Sequence, residues 1–505
     1  MRRILVQLFG FPWYPIVFSI YPLLNLLSTN VGQVKLEGGI RPILASVLLA
    51  GFLYMIFWLF MRQRHRAAFL TILWLILFFT YGHVYNLLVE KYEDIDFTGW
   101  MPGGWAVLFA LFLWWATRPR LNFISATSSL NVIALGLVVM SLWQISSAVE
   151  PRTAYALGAE NAPAEKLSLP QNPPDVYYFI LDSYTRADLL ESYFGYDNSE
   201  FLDGLRERGF YVAECSQSNY TRTELSMASS LNMSYLQGLD PQFVPEKTAR
   251  SHLWDSLQHS AVRYNLEQIG YKTISFANGY PWSELDDADQ FLTPPPFSSG
   301  MTEFETLFLQ TTLARQLQDA GWLDADQIIG QNYRDRHMLV FDSMKDVAKI
   351  SGPKFVYVHL LLPHPPFVFG PDGSNTNPAD FWNAKKHYPA DKYRQGYVNQ
   401  VIFVNGKMLE ALDTVLSESV TPPIIIIQGD HGPWLQPKPQ HFFILNAYHL
   451  PGHNHELYPQ ISPVNSFRLV FNDYFGAKYD MLEDVTYYSP VPKLYDFSEV
   501  PNDCK

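Results

Sequence analysis

Five apolar runs crowd the first 150 residues of this 505-residue chain, and no other feature limits the fold so sharply. They lie at 11–28 (FPWYPIVFSIYPLLNLLS), 41–61, 67–88, 104–117 and 126–146. A helix needs about 20 residues to cross a hydrocarbon layer. Several runs approach that length, and the fourth is short unless it recruits its flanks. The connectors segregate charge: Arg2 and Arg3, then Arg62, Arg64 and Arg66, then Arg118 and Arg120 fall on one side, and VEKYEDIDF (89–97) falls on the other. A buried all-helical domain gives no reason for that alternation. The positive-inside bias places the N-terminus in the cytoplasm and, after an odd number of spans, residue 150 onward outside. Pro12 and Pro15 break the first run and no small-residue cleavage site follows, which argues against a cleaved signal peptide. The chain therefore divides into a five-span domain over 1–147, an Ala/Pro/Glu-rich linker over 148–174, and an outer domain over 175–505.

Charge separates the two parts further. Residues 1–150 hold ten Lys/Arg against six Asp/Glu, so the net charge of −13 is exceeded by the remainder, at −17. An acidic outer part argues against nucleic acid as a partner, and any work on an anionic group there calls for a cation or a local set of donors. Cys215 and Cys504 are compatible with one bridge in an oxidising compartment or with two idle thiols.

From residue 175 the pattern becomes short apolar runs alternating with helical ones. Strands are expected at DVYYFIL (175–181), GFYVA (209–213), YKTISFA (271–277), KFVYVHLLL (354–362), PPIIIIQ (422–428) and QHFFILNAY (440–448). Helices are expected near 188–206, 335–349, 397–416 and 463–474. Near-continuous apolar strands separated by helices indicate a mostly parallel central sheet covered on both faces. In such sheets ligands bind beyond the carboxyl ends of the strands.

Three strands deliver metal-capable side chains to that rim. Asp182 follows 175–181, His364 follows 354–362, and Asp430 and His431 follow 422–428. An aspartate at a strand end is usually a turn residue, but the coincidence at one edge is harder to dismiss. Oxygen and nitrogen donors without thiolate suit Zn²⁺ or Mn²⁺. His359 alternates along its strand with Val358 and Leu360 and reads as a core histidine.

The stretch NYTRTELSMASS (219–230) supplies the hydroxyls. A helix beginning around Thr223 would turn its unpaired N–H groups and positive dipole end toward an anion. Thr223 is the candidate nucleophile, with Thr221 its competitor. A threonine hydroxyl becomes reactive when a divalent cation lowers its pKa.

The ordered set ILDSY (180–184), TRTELSMASS (221–230), HLLLPHPPF (359–367), GDHGPW (429–434) and QHFFILNAYHLPG (440–452) resembles the sulfatase-like branch of the alkaline phosphatase superfamily. With five spans before the outer domain, the plan is similar to lipoteichoic acid synthases and phosphoethanolamine transferases. The resemblance implies a main metal site of Asp182, Thr223, Asp430 and His431, with His364 and His441 for a second metal or phosphate, and Asn219 and Arg222 as candidate substrate contacts. It also implies a bacterial inner-membrane enzyme with an extracytoplasmic (periplasmic) catalytic domain. Such an enzyme moves a phospho-headgroup from a membrane lipid donor to a lipid or surface-glycan acceptor through a phospho-threonine. With water as acceptor the same site would be a phosphodiesterase, phosphatase or sulfuric ester hydrolase; a further alternative is a non-catalytic scaffold. The chain departs from the transferase pattern by having Asp182 where those families have Glu. Ala228-Ser229 replaces the Pro-Cys after Thr-x-x-Ser, and Cys215 lacks the sulfatase maturation motif.

Overall fold

The computed structural model describes residues 10–31, 33–92, 95–118, 123–148, 167–295, 300–376, 389–434, 438–453, 456–502 and 504. Most of the expected linker, 149–166, lies outside the described residues. The chain forms two compact units, 1–151 with 299–329, and 152–298 with 330–505.

In the first unit all five apolar runs are helical: α1 (Tyr14–Thr29), α2 (Ile40–Met61), α3 (Arg64–Lys91), α4 (Met101–Ala116) and α5 (Ile124–Ala148). Three spans, Leu36–Met61, Arg64–Lys91 and Ile124–Ser147, are long and apolar enough to cross a membrane. At 16 residues each, α1 and α4 reach about 24 Å, short of a ~30 Å core. Asn131 shows how a polar side chain is accommodated between the helices, where an apolar medium requires a partner. Asn131 accepts from the Tyr14 N–H at 3.0 Å and donates to the Phe11 carbonyl at 2.9 Å.

Residues 299–329, which the sequence reading put in the outer domain, pack within this helical unit. Two short helices there, Glu303–Thr311 and Arg315–Asp319, lie against α3. Leu313 N–H donates to the Phe78 carbonyl at 2.8 Å, and Gln316 donates to the Tyr81 hydroxyl at 2.8 Å. Gly82 permits the approach: a Cβ there would stand 2.3 Å from the Gln310 carbonyl oxygen.

The second unit is a seven-stranded sheet in the order β2-β7-β6-β1-β5-β3-β4. Its strands are β1 (Val176–Leu181), β2 (Tyr211–Val212), β3 (Lys272–Phe276), β4 (Gln290–Leu292), β5 (Lys354–Leu360), β6 (Ile424–Gly429) and β7 (Asn446–His449). Strands β6, β1, β5, β3 and β4 pair in parallel, and β7 closes one side antiparallel to β6. The central strands are buried along their whole length, which explains their unbroken apolar sequences. The covering helices include α6 (Ala187–Phe194), α7 (Ser199–Glu207), α8 (Thr223–Asn232), α9 (Ser251–Gln258), α10 (Ala325–Ala348), α11 (Ala390–Glu418) and α12 (Pro463–Phe475). A hairpin of β8 (Thr486–Tyr488) and β9 (Ser498–Val500) stands apart from the main sheet.

Two expectations need correction. The single helix expected over 188–206 breaks at Gly195, which ends α6 with φ +70°. The strand expected over 440–448 is shorter: Lys438–Phe442 is a 3₁₀ turn, Phe443 makes an isolated bridge to Gln217, and the strand itself starts at Asn446.

Candidate active site

Register brings the site together. Leu181, the last residue of β1, pairs with Leu360 of β5 on one side and Gly429 of β6 on the other. Asp182 and Asp430 therefore leave adjacent parallel strands at the same level. Gly429 has to be small, because a Cβ would meet the Tyr184 carbonyl oxygen at 2.3 Å. Between the two carboxylates sits Ser183 in the left-handed region, φ +64°. Its N–H donates to Asp430 Oδ1 and its hydroxyl to Asp182 Oδ1, at 2.9 and 3.0 Å. Tyr397 of α11 donates to the Ser183 carbonyl at 2.7 Å and holds the turn.

Asp430 Oδ1 also accepts from the His431 N–H at 2.9 Å, whereas Oδ2, buried, has no hydrogen-bond partner among the described residues. His431 donates Nδ1–H to the Gly432 carbonyl at 2.8 Å, which fixes the tautomer and leaves the Nε2 lone pair facing the site. Nε2 lies 3.2 Å from Thr223 Oγ1, 3.4 Å from Asp430 Oδ2 and 3.9 Å from Asp182 Oδ1. Ligand atoms of Asp182, Asp430 and His431 all fall within 4.8 Å of one another, and all three residues are buried.

Two buried carboxylates this close repel, and the titration directions follow. Burial and the Asp182 charge hold the Asp430 carboxyl above the ordinary range. Burial also pushes Asp182 up, but the imidazoles of His364, His359 and His431 outweigh it and hold this carboxyl low. Burial pulls His431 down, and the Asp430 and Asp182 charges more than reverse that. An orphaned carboxylate oxygen, a second carboxylate and an imidazole lone pair form an O/N donor set of the kind that suits a divalent cation. The residues present fit a divalent cation.

Thr223 is the first residue of α8, and its predecessor Arg222 is extended, with φ −130° and ψ 141°. The loop before it is pinned on several sides. Ser218 N–H donates to the Phe442 carbonyl at 2.7 Å, and Cys215 is bonded to Cys504 across 289 residues. That bond also removes Cys215 from any sulfatase-type maturation. Asn219 corrects the sequence reading. It is fully buried, donating to Ser462 Oγ and the Val485 carbonyl and accepting from the Val464 N–H, so it braces the loop and turns no polar atom to a substrate.

The remaining candidates flank the cluster. His364, half-buried, donates its backbone N–H to the Asp182 carbonyl at 3.1 Å while its ring Nδ1 engages the Pro365 carbonyl. His441 lies in the 3₁₀ turn, its carbonyl accepting the Gly432 N–H. Its ring stands 5.5 Å from that of Trp434, which is 5.9 Å from the His431 ring. Half-buried Arg222 lies at the mouth of α8.

Sequence reasoning took His359 for a core residue and missed that it faces the site. Asn278 donates to its Nδ1 at 3.1 Å, and Nε2 points at Asp182 Oδ2, 3.7 Å away. The i, i+5 spacing to His364 on the same rim was the available signal.

No protein-family model and no curated protein matches the sequence. Solved structures do. The C-terminal periplasmic domain of EptC from Escherichia coli, in complex with Zn, is 14% identical over 62% of this chain and 84% of that one, with a TM-score of 0.40. The corresponding domain of the phosphoethanolamine transferase EptC from Campylobacter jejuni is 12% identical over 64% and 94%, with a TM-score of 0.39. The lipoteichoic acid synthase LtaP from Listeria monocytogenes is 12% identical over 68% and 82%, with a TM-score of 0.38. At such identities the chemistry of this chain has to be argued from its own site.

Proposed function

We propose that this is a membrane-anchored, metal-dependent phosphotransferase in which Thr223 is the nucleophile. The reading keeps the division into membrane domain (1–147), linker (148–174) and catalytic domain (175–505), except that the stretch 299–329 goes with the helical unit; the N-terminus is cytoplasmic and the catalytic domain lies outside a bacterial inner membrane. The observation that carries it is the 3.2 Å approach of Thr223 Oγ1 to His431 Nε2 within the Asp182/Asp430 cluster. Asp182, Asp430, His431 and Thr223 would hold a divalent cation, Zn²⁺ or Mn²⁺, which lowers the hydroxyl pKa and offsets phosphoryl charge. Ser183 orients both carboxylates, and the start of α8 directs backbone N–H groups toward the phosphoryl oxygens. Thr223 Oγ1 bonds to phosphorus as the bond to the lipid leaving oxygen breaks, and the proton lost from Oγ1 ends on that leaving oxygen. An acceptor hydroxyl, or water, then displaces Thr223 in the reverse sense. His364 and His441 serve phosphate or a second ion, and Arg222 steadies the substrate phosphate.

The test is turnover of bis(p-nitrophenyl) phosphate against p-nitrophenyl sulfate by the purified full-length protein with Zn²⁺ or Mn²⁺. Phosphodiester cleavage lost in Thr223→Val supports the reading. Preference for the sulfate ester, or no metal-dependent turnover of either, sinks it in favour of a sulfatase or a scaffold.

A further inference from the structure

Beside the nucleophile stands an aromatic wall that the phosphotransfer chemistry does not use. Trp254 projects from α9, one turn beyond Arg250, whose Nε lies 3.4 Å from the carboxylate of Glu224, the residue after Thr223. The indole of Trp254 runs near-parallel to that of Trp282, with centroids 6.5 Å apart and planes inclined by 23°. Tyr280 extends the surface, its ring 6.0 Å from Trp282. Both tryptophans are half-buried and Tyr280 is 40% exposed, so ring surface remains open to solvent.

The wall is tied to the reaction centre at both ends. At one end Glu224 and Arg250 join it to the start of α8. At the other, Asn278 accepts from the Tyr280 N–H at 2.8 Å and donates to His359, which faces Asp182. It is also rigid. Gln258 of α9 donates to the carbonyls of Pro281 and Glu284, at 2.7 and 3.0 Å, and so clamps the loop carrying Trp282 onto the helix carrying Trp254.

We infer that Trp254, Trp282 and Tyr280, with Arg250, form a subsite that seats a pyranose ring of an anionic glycan as the acceptor; this rests on the phosphotransferase reading. A pyranose offers a flat face of C–H groups that packs on an aromatic ring, and an edge of hydroxyls for polar neighbours. Rigid aromatics supply such contact at low entropic cost. Charge selects among occupants. Glu224 offsets Arg250, so the Arg222 guanidinium just before α8 is the positive charge remaining at that end of the wall, which favours an anionic ring and opposes an ammonium headgroup in the same aromatic setting. An acyl chain would leave the Arg222 guanidinium without an anionic partner among the described residues, whereas Arg250 keeps Glu224. In the second displacement the sugar hydroxyl oxygen bonds to phosphorus, the P–Oγ1 bond of Thr223 breaks, and the hydroxyl proton ends on Oγ1.

Isothermal titration of the full-length, Zn²⁺-loaded protein with glucose 6-phosphate, maltotriose and phosphocholine tests this, alongside bis(p-nitrophenyl) phosphate turnover with each. The expected order is glucose 6-phosphate tighter than maltotriose, with phosphocholine weakest, and a p-nitrophenyl phosphosugar appearing in the turnover mixture. Trp282→Ala should weaken the sugar phosphate about three- to tenfold, whereas Trp282→Phe, which keeps a ring face, should restore most of it. The subsite is overturned if neither saccharide binds, if phosphocholine binds tightest, or if Trp282→Ala binds as wild type. Phosphodiester turnover without any saccharide effect overturns the subsite and leaves the phosphotransferase reading standing. Saccharide binding without metal-dependent turnover overturns that reading and the acceptor role with it.

Discussion

Replacing Gly429 with alanine probes how tightly the rim of the sheet is built. A Cβ at this position would stand 2.3 Å from the Tyr184 carbonyl oxygen and 3.2 Å from Ile444 Cβ. Non-bonded heavy atoms settle near ~3.5 Å, so β6 or the 182–185 turn would have to yield by about 1 Å. Both opposing groups are held, the first by the Leu445 N–H that donates to Tyr184, and neither can swing aside as a flexible side chain would. Overpacking of this kind costs about 1–3 kcal/mol, or about 2–6 °C of melting temperature at roughly 2 °C per kcal/mol for a unit of this size. The same shift carries Asp430 and His431, and a ~1 Å misplacement of reacting groups costs about 100-fold in rate. Gly406 in α11 is the matched control. Nothing lies within 4 Å of its would-be Cβ, so Gly406→Ala should gain about 0.5–1 kcal/mol and keep its turnover. Thermal unfolding by circular dichroism and aryl phosphodiester turnover read both variants. A Gly429→Ala protein that melts and turns over like wild type refutes the reasoning.

Thr223→Val, which keeps the shape and removes the hydroxyl, should cut phosphodiester turnover by about 1,000-fold or more, while Thr221→Val stays within a few fold; the reverse pattern moves the nucleophile. Chelation should lower the melting temperature, because the Asp182/Asp430 repulsion loses its counter-charge. Zn²⁺ at ~100 times its Kd should restore about 2.7 kcal/mol, and Asp430→Asn should abolish that response. His259 gives a pH test away from the metal. Hydrogen bonds to Asp255 and Asp287 outweigh burial and raise it from 6.5 to about 9. Its stabilisation is fully present below pH ~6.5 and is lost as pH rises through ~9. With Asp287 partly open to solvent the contribution is discounted to about 2 kcal/mol. Denaturant unfolding of chelated protein should weaken by that amount between pH 6 and 10, and His259→Gln should flatten the slope.

Much of the candidate site could be placed from the chain because it hangs on strand ends. The buried strands announce themselves as unbroken apolar runs, and β1, β5 and β6 lie within two residues of the expected limits. Helix α8 begins at Thr223, the position that the hydroxyl cluster and the periodicity after it indicate. What escaped notice depends on contacts that sequence does not encode locally. His359 is both buried and at the rim, since a residue near the end of a central strand satisfies the alternation rule and still faces the ligand side. Asn219, beside the proposed nucleophile in sequence, turns inward because Ser462, Val464 and Val485 from distant segments take its amide. The short strands β4, β8 and β9 are three residues each and carry too little pattern to stand out. Residues 299–329 join the helical unit through Gly82 and Phe78, a partnership visible only in three dimensions.

The central claim is that one hydroxyl, Thr223 Oγ1, carries the transferred phosphoryl group. Acid-quenched full-length protein, incubated with membrane lipids and Zn²⁺ and then digested, can be read by fragmentation mass spectrometry of the peptide spanning 219–230. The account predicts a phosphoryl-containing mass addition on Thr223 that is absent after chelation and absent in Thr223→Val. An addition on Thr221 or Ser226, or an unmodified peptide while turnover proceeds, would contradict it.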